Sequence, residues 1–296
     1  KWQLMRTSVD DGYYWSMYFV DKDNGWVACD SGRILHTTNG GEDWIQQETF
    51  LKDFINSICF VNENVGWACG QNFIFQTDNG GKDWLIQFED ESISNSGKLK
   101  GYLKIYFKDK NSGWTVNGSG ELLSTTDGGN SWFVKEKWEA AGPTNLSFTN
   151  DNGGFILTPN SNLLYTNNGG NNWEKIKIDD IKFQTAIDFI DKNTGWLVTM
   201  YGLSSTIEAG SPVYSSTDGG KNWIQSSIIK DDLLDVDFAN EKEGWIAGTG
   251  KIYSTKNSGL TWSQSDVTGF FVDIFALDNN NVWALDFSGK IYKLMK

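Results

Sequence analysis

Apolar positions along this chain fall in short runs, separated by clusters of Asn, Asp, Gly and Ser. No stretch has the 3.6-residue spacing of an amphipathic helix, so the pattern predicts many strands joined by tight turns. Asn, Asp and Gly suit such turns because they tolerate positive φ and hydrogen-bond their own backbone.

The runs repeat. One motif, Thr37-Thr38-Asn39-Gly40-Gly41-Glu42-Asp43-Trp44, returns in versions ending at Trp84, Trp132, Trp173, Trp223 and Trp262. Each version has Ser or Thr first, Asp or Asn third, Gly fifth and Trp eighth. A Gly-Trp step precedes it at Trp26, Trp67, Trp114, Trp196 and Trp245, with Phe155 and Trp283 in the same register. Seven residues before each of these stand Phe19, Phe60, Phe107, Phe148, Phe189, Phe238 and Ala276. Strand, turn, Gly-Trp strand, turn, third strand, box and fourth strand make one unit, and seven such units fit propeller blades. The expectation is an all-β fold: a seven-bladed β-propeller of four-stranded antiparallel blades, in which residues 1–296 form one domain.

The seventh unit ends at Lys296 before any box, and Trp2 stands where a box Trp would precede Trp26. The N-terminal strand from Trp2 is therefore expected to complete the C-terminal blade and close the ring.

The Gly-Trp step followed by Thr-x-Asp-Gly-Gly-x-x-Trp resembles the Asp-box, or bacterial neuraminidase repeat (BNR), superfamily. The Phe before Gly-Trp and the doubled Gly are most similar to the photosystem II stability/assembly factor-like propellers. The resemblance implies that each box stabilises a turn through its Asp and Ser/Thr, with its Trp buried, and that it binds nothing. It also implies a membrane-protein client held by an arginine-rich patch. This chain has only Arg6 and Arg33, so that activity is not expected to carry over. Two arginines also cannot supply the three that hold a sialidase substrate's carboxylate. The xyloglucan-type hydrolases place two carboxylates across a cleft between two propellers, and one propeller has no such cleft.

A carboxylate pair in a single propeller could still cleave a glycoside. Ten residues before the Gly-Trp register stand Ser16, Ser57, Lys104, Asn145, Ala186, Asp235 and Asp273; eight before stand Tyr18, Cys59, Tyr106, Ser147, Asp188, Asp237 and Phe275. These alternate with the Phe series and share the other face of the innermost strand. Asp235, Asp237 and Asp273 thus gather near the central channel with Asp188 one blade earlier. They are either an acid/base pair or polar groups satisfied by water or by Lys104.

Other chemistries fall away. With His36 as the only histidine, neither a multi-histidine metal site nor a choice of catalytic bases exists. Asp21-Lys22-Asp23-Asn24-Gly25 imitates a calcium loop, but Gly32 stands where its bidentate Glu is needed, so a turn is expected. No phosphate-cradling glycine motif appears, and no cofactor or metal is expected. Cys29, Cys59 and Cys69 are too few and odd in number for a disulfide framework, although Cys59 and Cys69 lie on successive strands and could pair.

The net charge of -13 opposes binding to nucleic acid or to an anionic membrane surface. No stretch is long enough to span a bilayer as a helix. The Asn-, Lys- and Ile-rich composition suggests a bacterial source, and the resemblance suggests an extracytoplasmic protein, secreted or surface-anchored. The start at Lys1 rather than Met is consistent with removal of a signal or anchor.

Propellers bind through loops that vary between blades. The insertions 91–101 and 199–212 stand out, and both belong to connections on the side opposite the boxes. Trp15 and Trp138 are the two tryptophans outside the repeat registers. The expected binding residues are Trp138 with neighbouring Glu139, Trp15, Tyr201 in the second insertion, and Asp235 and Asp273. The reading is a non-catalytic, monomeric scaffold that presents one loop-rich face to a protein or, second, a polysaccharide. The alternative is a glycoside hydrolase using the carboxylate pair.

Overall fold

The computed structural model describes residues 1–7, 12–49, 52–89, 101–138, 145–149, 152–158, 162–178, 181, 183–200 and 210–295. Twenty-eight strands among them form seven four-stranded antiparallel sheets, the blades of a seven-bladed β-propeller. Blades one to six take their strands in chain order from 14–48, 55–89, 102–137, 145–177, 184–229 and 233–264. The seventh orders Phe271–Ala276, Val282–Asp286 and Lys290–Leu294 from first strand outward and adds Trp2–Thr7 as its fourth. The expected closure holds. At its start the Lys1 ammonium donates to the Met295 carbonyl (2.7 Å) and the Met295 N–H to the Lys1 carbonyl (2.8 Å).

The chain divides into two compact units: Leu4–Pro143 with Phe287–Ile291, and Lys1–Gln3 with Thr144–Asp286 and Tyr292–Lys296. Within the first, the registers read from the sequence become one interlock between neighbouring blades. Trp26 lies flat on Phe60 of the next blade at 3.5 Å, and Trp67 lies on Phe107 at 3.6 Å. Phe60 meets its own blade's Trp84 edge-on at 5.9 Å, as Phe107 meets Trp132. The indole N–H of Trp26 donates to the Gly80 carbonyl (3.1 Å), and that of Trp67 to Gly128 (2.9 Å), each in the next blade's box.

The second unit repeats the device. Phe155 stacks on Phe189 at 3.4 Å and Trp196 on Phe238 at 3.5 Å, while Trp196 donates to the Ser258 carbonyl at 3.0 Å. Stacked and edge-on aromatic pairs each contribute about 1 kcal/mol beyond the area they bury. Gly-Trp, Phe and box therefore recur together because each is useless without the others.

The glycine before each Trp has a packing cause. Gly66 is paired across the ladder with Phe60, and a Cβ on it would enter the Phe60 ring. In the first box, Thr37 Oγ1 accepts the Gly41 N–H (2.9 Å) and donates to Asn39 Oδ1 (2.9 Å), which accepts the Asp43 N–H (2.9 Å). Gly40 and Gly41 take φ of 70° and 95°, conformations open to residues without a side chain. The box closes upon itself as a turn. Asp21 does likewise, accepting the N–H groups of Asp23 (2.8 Å) and Asn24 (2.7 Å). Cys59 and Cys69 are free and buried, which resolves the question of their pairing. Burial pushes the Cys59 thiol up to about 12 and that of Cys69 higher still.

Candidate functional site

The carboxylates of the innermost strands gather as the alternation required, all within the second unit. Asp188 stands on Gln184–Phe189, Asp235 and Asp237 on Leu233–Phe238, and Asp273 on Phe271–Ala276. The acceptors of Asp188, Asp235 and Asp237 are engaged by backbone amides of the next blade. Asp188 Oδ2 accepts the Phe238 N–H (2.9 Å), Asp235 Oδ2 that of Ile274 (3.0 Å), and Asp237 Oδ2 that of Ala276 (2.7 Å). Neutral residues do the same work in the same registers. Ser147 Oγ accepts the Phe189 N–H (3.2 Å), and in the first unit Ser57 Oγ accepts that of Ile105 (3.3 Å). The position calls for an acceptor that sews one blade to the next, and Asp and Ser both supply it.

Packing four carboxyls together has an electrostatic cost. Burial, then the charge of Asp235, lifts the Asp188 carboxyl to about 7 against the opposing hydrogen bond from Phe238. Burial, then the charge of Asp188, raises the Asp237 carboxyl well above the usual carboxylate range. Asp188 and Asp237 therefore hold their protons more tightly than ordinary carboxyls do. Carboxyls raised in this way are also part of the chemical equipment of a glycosidase. Here both Asp188 and Asp237 are tied to backbone amides.

A second cluster, in the first unit, gathers around Trp15, one of the expected binding residues; its other members escaped the sequence reading. Tyr13 stacks on Phe287 at 4.5 Å, and Trp15 meets Phe287 and Phe54 edge-on at 5.3 Å and 5.8 Å. Tyr13 and Phe54 are each 43% exposed. Tyr13 and Phe54 precede first strands of their blades, and Phe287 follows the second strand of the seventh, so all three stand at strand ends away from the boxes. A signal for it was available. Tyr13, Phe54, Phe183 and Phe270 all stand thirteen residues before the Gly-Trp register, and all are exposed.

Trp15 reaches this cluster because the first strand bulges there. The ladder pairs Tyr14 with Cys29 and then Ser16 with Ala28, leaving Trp15 without an opposite residue. The same bulge releases Asn56 and Thr185, whose side chains donate to the carbonyls of Tyr102 (2.8 Å) and Leu233 (2.7 Å) in the following blade. In the first blade an indole takes the place of that hydrogen bond.

Among the other expected binding residues, Trp138 is half-buried after the outer strand Phe133–Lys137, its N–H donating to the Gly120 carbonyl at 2.7 Å. Glu139, Tyr201 and most of the two insertions lie outside the described residues. Asp235 is half-buried and Asp273 is 8% exposed. Both arginines are engaged internally. Arg33 pairs with Asp30 (2.5 Å), and Arg6 donates to the Tyr14 hydroxyl (3.3 Å) and the Trp44 carbonyl (3.4 Å). No helix among the described residues is long and apolar enough to cross a membrane.

The family model described as photosynthesis system II assembly factor YCF48 matches residues 1–90, 85–167 and 165–295. No curated protein matches the chain. Among solved structures, YCF48 bound to D1 peptide superposes with a TM-score of 0.79 at 18% identity, covering 100% of this chain and 97% of that one. YCF48 from Cyanidioschyzon merolae gives 0.79 at 18% identity over 99% and 98%. A virginiamycin B lyase from Staphylococcus aureus gives 0.80 at 14% identity over 100% and 99%. At these identities the likeness is one of fold, shared by binding proteins and an enzyme alike.

Proposed function

Because this chain belongs to the photosystem II assembly factor YCF48 family, we propose that it is a non-catalytic scaffold holding a protein partner on the blade ends opposite the Asp-boxes. The observation that carries this reading is the aromatic cluster of Tyr13, Trp15, Phe54 and Phe287, in which Tyr13 and Phe54 are exposed and Trp15 and Phe287 half-buried. Aromatic side chains with one face buried and one exposed anchor protein interfaces at small entropic cost. A YCF48 structure holding a D1 peptide gives the fold a precedent for peptide capture. Trp138, Glu139 and Tyr201 are further candidate contacts read from the sequence alone. The protein works as a monomer outside the cytoplasm of a bacterium.

A polysaccharide is the second choice, since the same flat rings suit sugar stacking. A glycoside hydrolase is the third, and the elevated Asp188 carboxyl is what favours it. One screen separates the three. The protein is titrated with peptide and oligosaccharide panels, with tryptophan fluorescence reporting binding and new reducing ends reporting cleavage. Saturable peptide binding without turnover is expected. Turnover that Asp235→Asn or Asp273→Asn abolishes would make the protein an enzyme.

A further inference from the structure

The aromatic cluster also constrains the chemistry of what it holds, an inference that rests on the scaffold reading above. The arginines offer an acidic segment little to pair with, and Lys52, exposed two residues before Phe54, is a single cation against the charge of the whole chain. The chain carries -13, Arg33 is taken up by Asp30, and Arg6 is spent on Tyr14 and Trp44. The surface offers instead aromatic rings in fixed mutual geometry, with Tyr13 flat on Phe287 and Trp15 edge-on to both Phe287 and Phe54. The π-faces of such rings attract cations, most strongly where the cation is also drawn in by long-range negative charge. Their remaining exposed area accepts apolar side chains.

The residue released by the bulge differs from blade to blade: Leu103, Leu234 and Val272 are apolar, Asn56 and Thr185 polar, and Trp15 aromatic. At the bulge of the second and fifth blades the released side chain, Asn56 or Thr185, forms a hydrogen bond to the next blade. At the first blade that polar stitch is given up and Trp15 is placed between Phe54 and Phe287. Backbone contacts hold the platform from beneath. The Tyr13 N–H donates to Asp30 Oδ2 (3.2 Å), the Tyr13 carbonyl accepts the Asp30 N–H (3.1 Å), and the Asp53 carbonyl next to Phe54 accepts the Gly32 N–H (2.7 Å). The rings are thus held in position before anything binds, which lowers the entropy lost on association.

We propose that Tyr13, Trp15, Phe54 and Phe287 form a docking platform for an extended basic polypeptide segment, one that carries lysine or arginine next to apolar side chains. Cations lie over the exposed ring faces, and the apolar neighbours cover Tyr13 and Phe54. Acidic peptides are repelled, and neutral sugars gain only the stacking share.

The test titrates the full chain with a capped peptide alternating lysine and leucine, its glutamate-for-lysine counterpart, and a neutral cello-oligosaccharide. Tryptophan fluorescence and calorimetry are the readouts. The lysine peptide is expected to bind saturably, more weakly as salt is raised, and at least about tenfold more tightly than the other two. Tyr13→Ala with Phe54→Ala should lower its affinity about tenfold while leaving the thermal transition in place; Tyr13→Ser alone gives a milder version on an exposed site. Equal affinity for the glutamate peptide, or preference for the sugar, would overturn the proposal. Undiminished lysine-peptide binding by the double variant would also overturn it, by moving the site elsewhere, and would leave the scaffold reading standing. If no polypeptide of either charge binds, the scaffold reading fails together with the platform.

Discussion

Asp188 on one blade accepts the backbone N–H of Phe238 on the next at 2.9 Å. Asp237 stands in the same relation to Ala276, and Ser147 to Phe189. An acidic side chain is here a structural stitch, and its raised pKa follows from burial in company with other carboxyls.

This stitch gives stability a definite pH dependence. A carboxyl whose pKa is higher folded than unfolded contributes stability that is fully present below its unfolded value, near 4, and is lost as pH rises through about 7. Turn aspartates such as Asp21 and Asp218, whose carboxyls hydrogen bonds hold low, act with the opposite sign and lose stability toward acid. Comparison with Asp188→Asn isolates the first effect, because Asn keeps an acceptor for Phe238 and does not titrate. The difference between the two urea midpoints should be smallest near pH 3.5, below the unfolded pKa, and should grow as pH rises. By pH 8 the variant should be the more stable by roughly 1–3 kcal/mol. A parallel pair of curves would show that Asp188 titrates normally.

Gly66→Ala should be costly despite the small change. Its Cβ would enter the Phe60 ring, which cannot move because Trp26 covers one face and Trp84 abuts it. A loss of about 1–3 kcal/mol in chemical denaturation is expected, against a near-neutral effect for Ala at an exposed position.

Thr77→Ala removes the buried acceptor of the Gly81 N–H (2.8 Å) and the donor to Asn79 Oδ1 (3.0 Å) within the second box. A destabilisation of about 1–2 kcal/mol without change in partner affinity is expected. Loss of binding at unchanged stability would show that the box does more than hold a turn.

Trp138→Ala should weaken partner binding severalfold while the melting temperature changes little, since the side chain is half-buried at the end of an outer strand. Calorimetry of binding alongside thermal melts checks both. A melting temperature that collapses with the affinity would make Trp138 a packing residue instead.

The registers of Phe, Gly-Trp and box carried the fold in the sequence, because each is a repeated physical requirement. The ring stacks, the glycine that clears it and the closed turn all leave fixed spacings. Closure by Trp2 was legible for the same reason. The role of Asp235 and Asp237 was not, because the amides they accept belong to backbone about forty residues away, and any residue there offers an N–H. Cys59 and Cys69 illustrate the same limit, since adjacent strands alone left their pairing open. The aromatic platform was half-legible. Tyr13 and Phe54 share a register with Phe183 and Phe270, but Gly101, Gly142 and Asp232 interrupt the series, and no spacing relates Phe287 to it. The bulge that releases Trp15 leaves no mark in composition.

The central claim is that a partner sits on the aromatic blade ends away from the boxes, and hydrogen exchange tests it most directly. The chain, alone and with the bound lysine–leucine peptide, is compared segment by segment. The account predicts slowed exchange at residues 12–16, 52–55 and 287–290, and none at the box turns 39–43 and 79–83. Protection confined to the box turns, or to the carboxylate-bearing strands 184–189, 233–238 and 271–276, would contradict it.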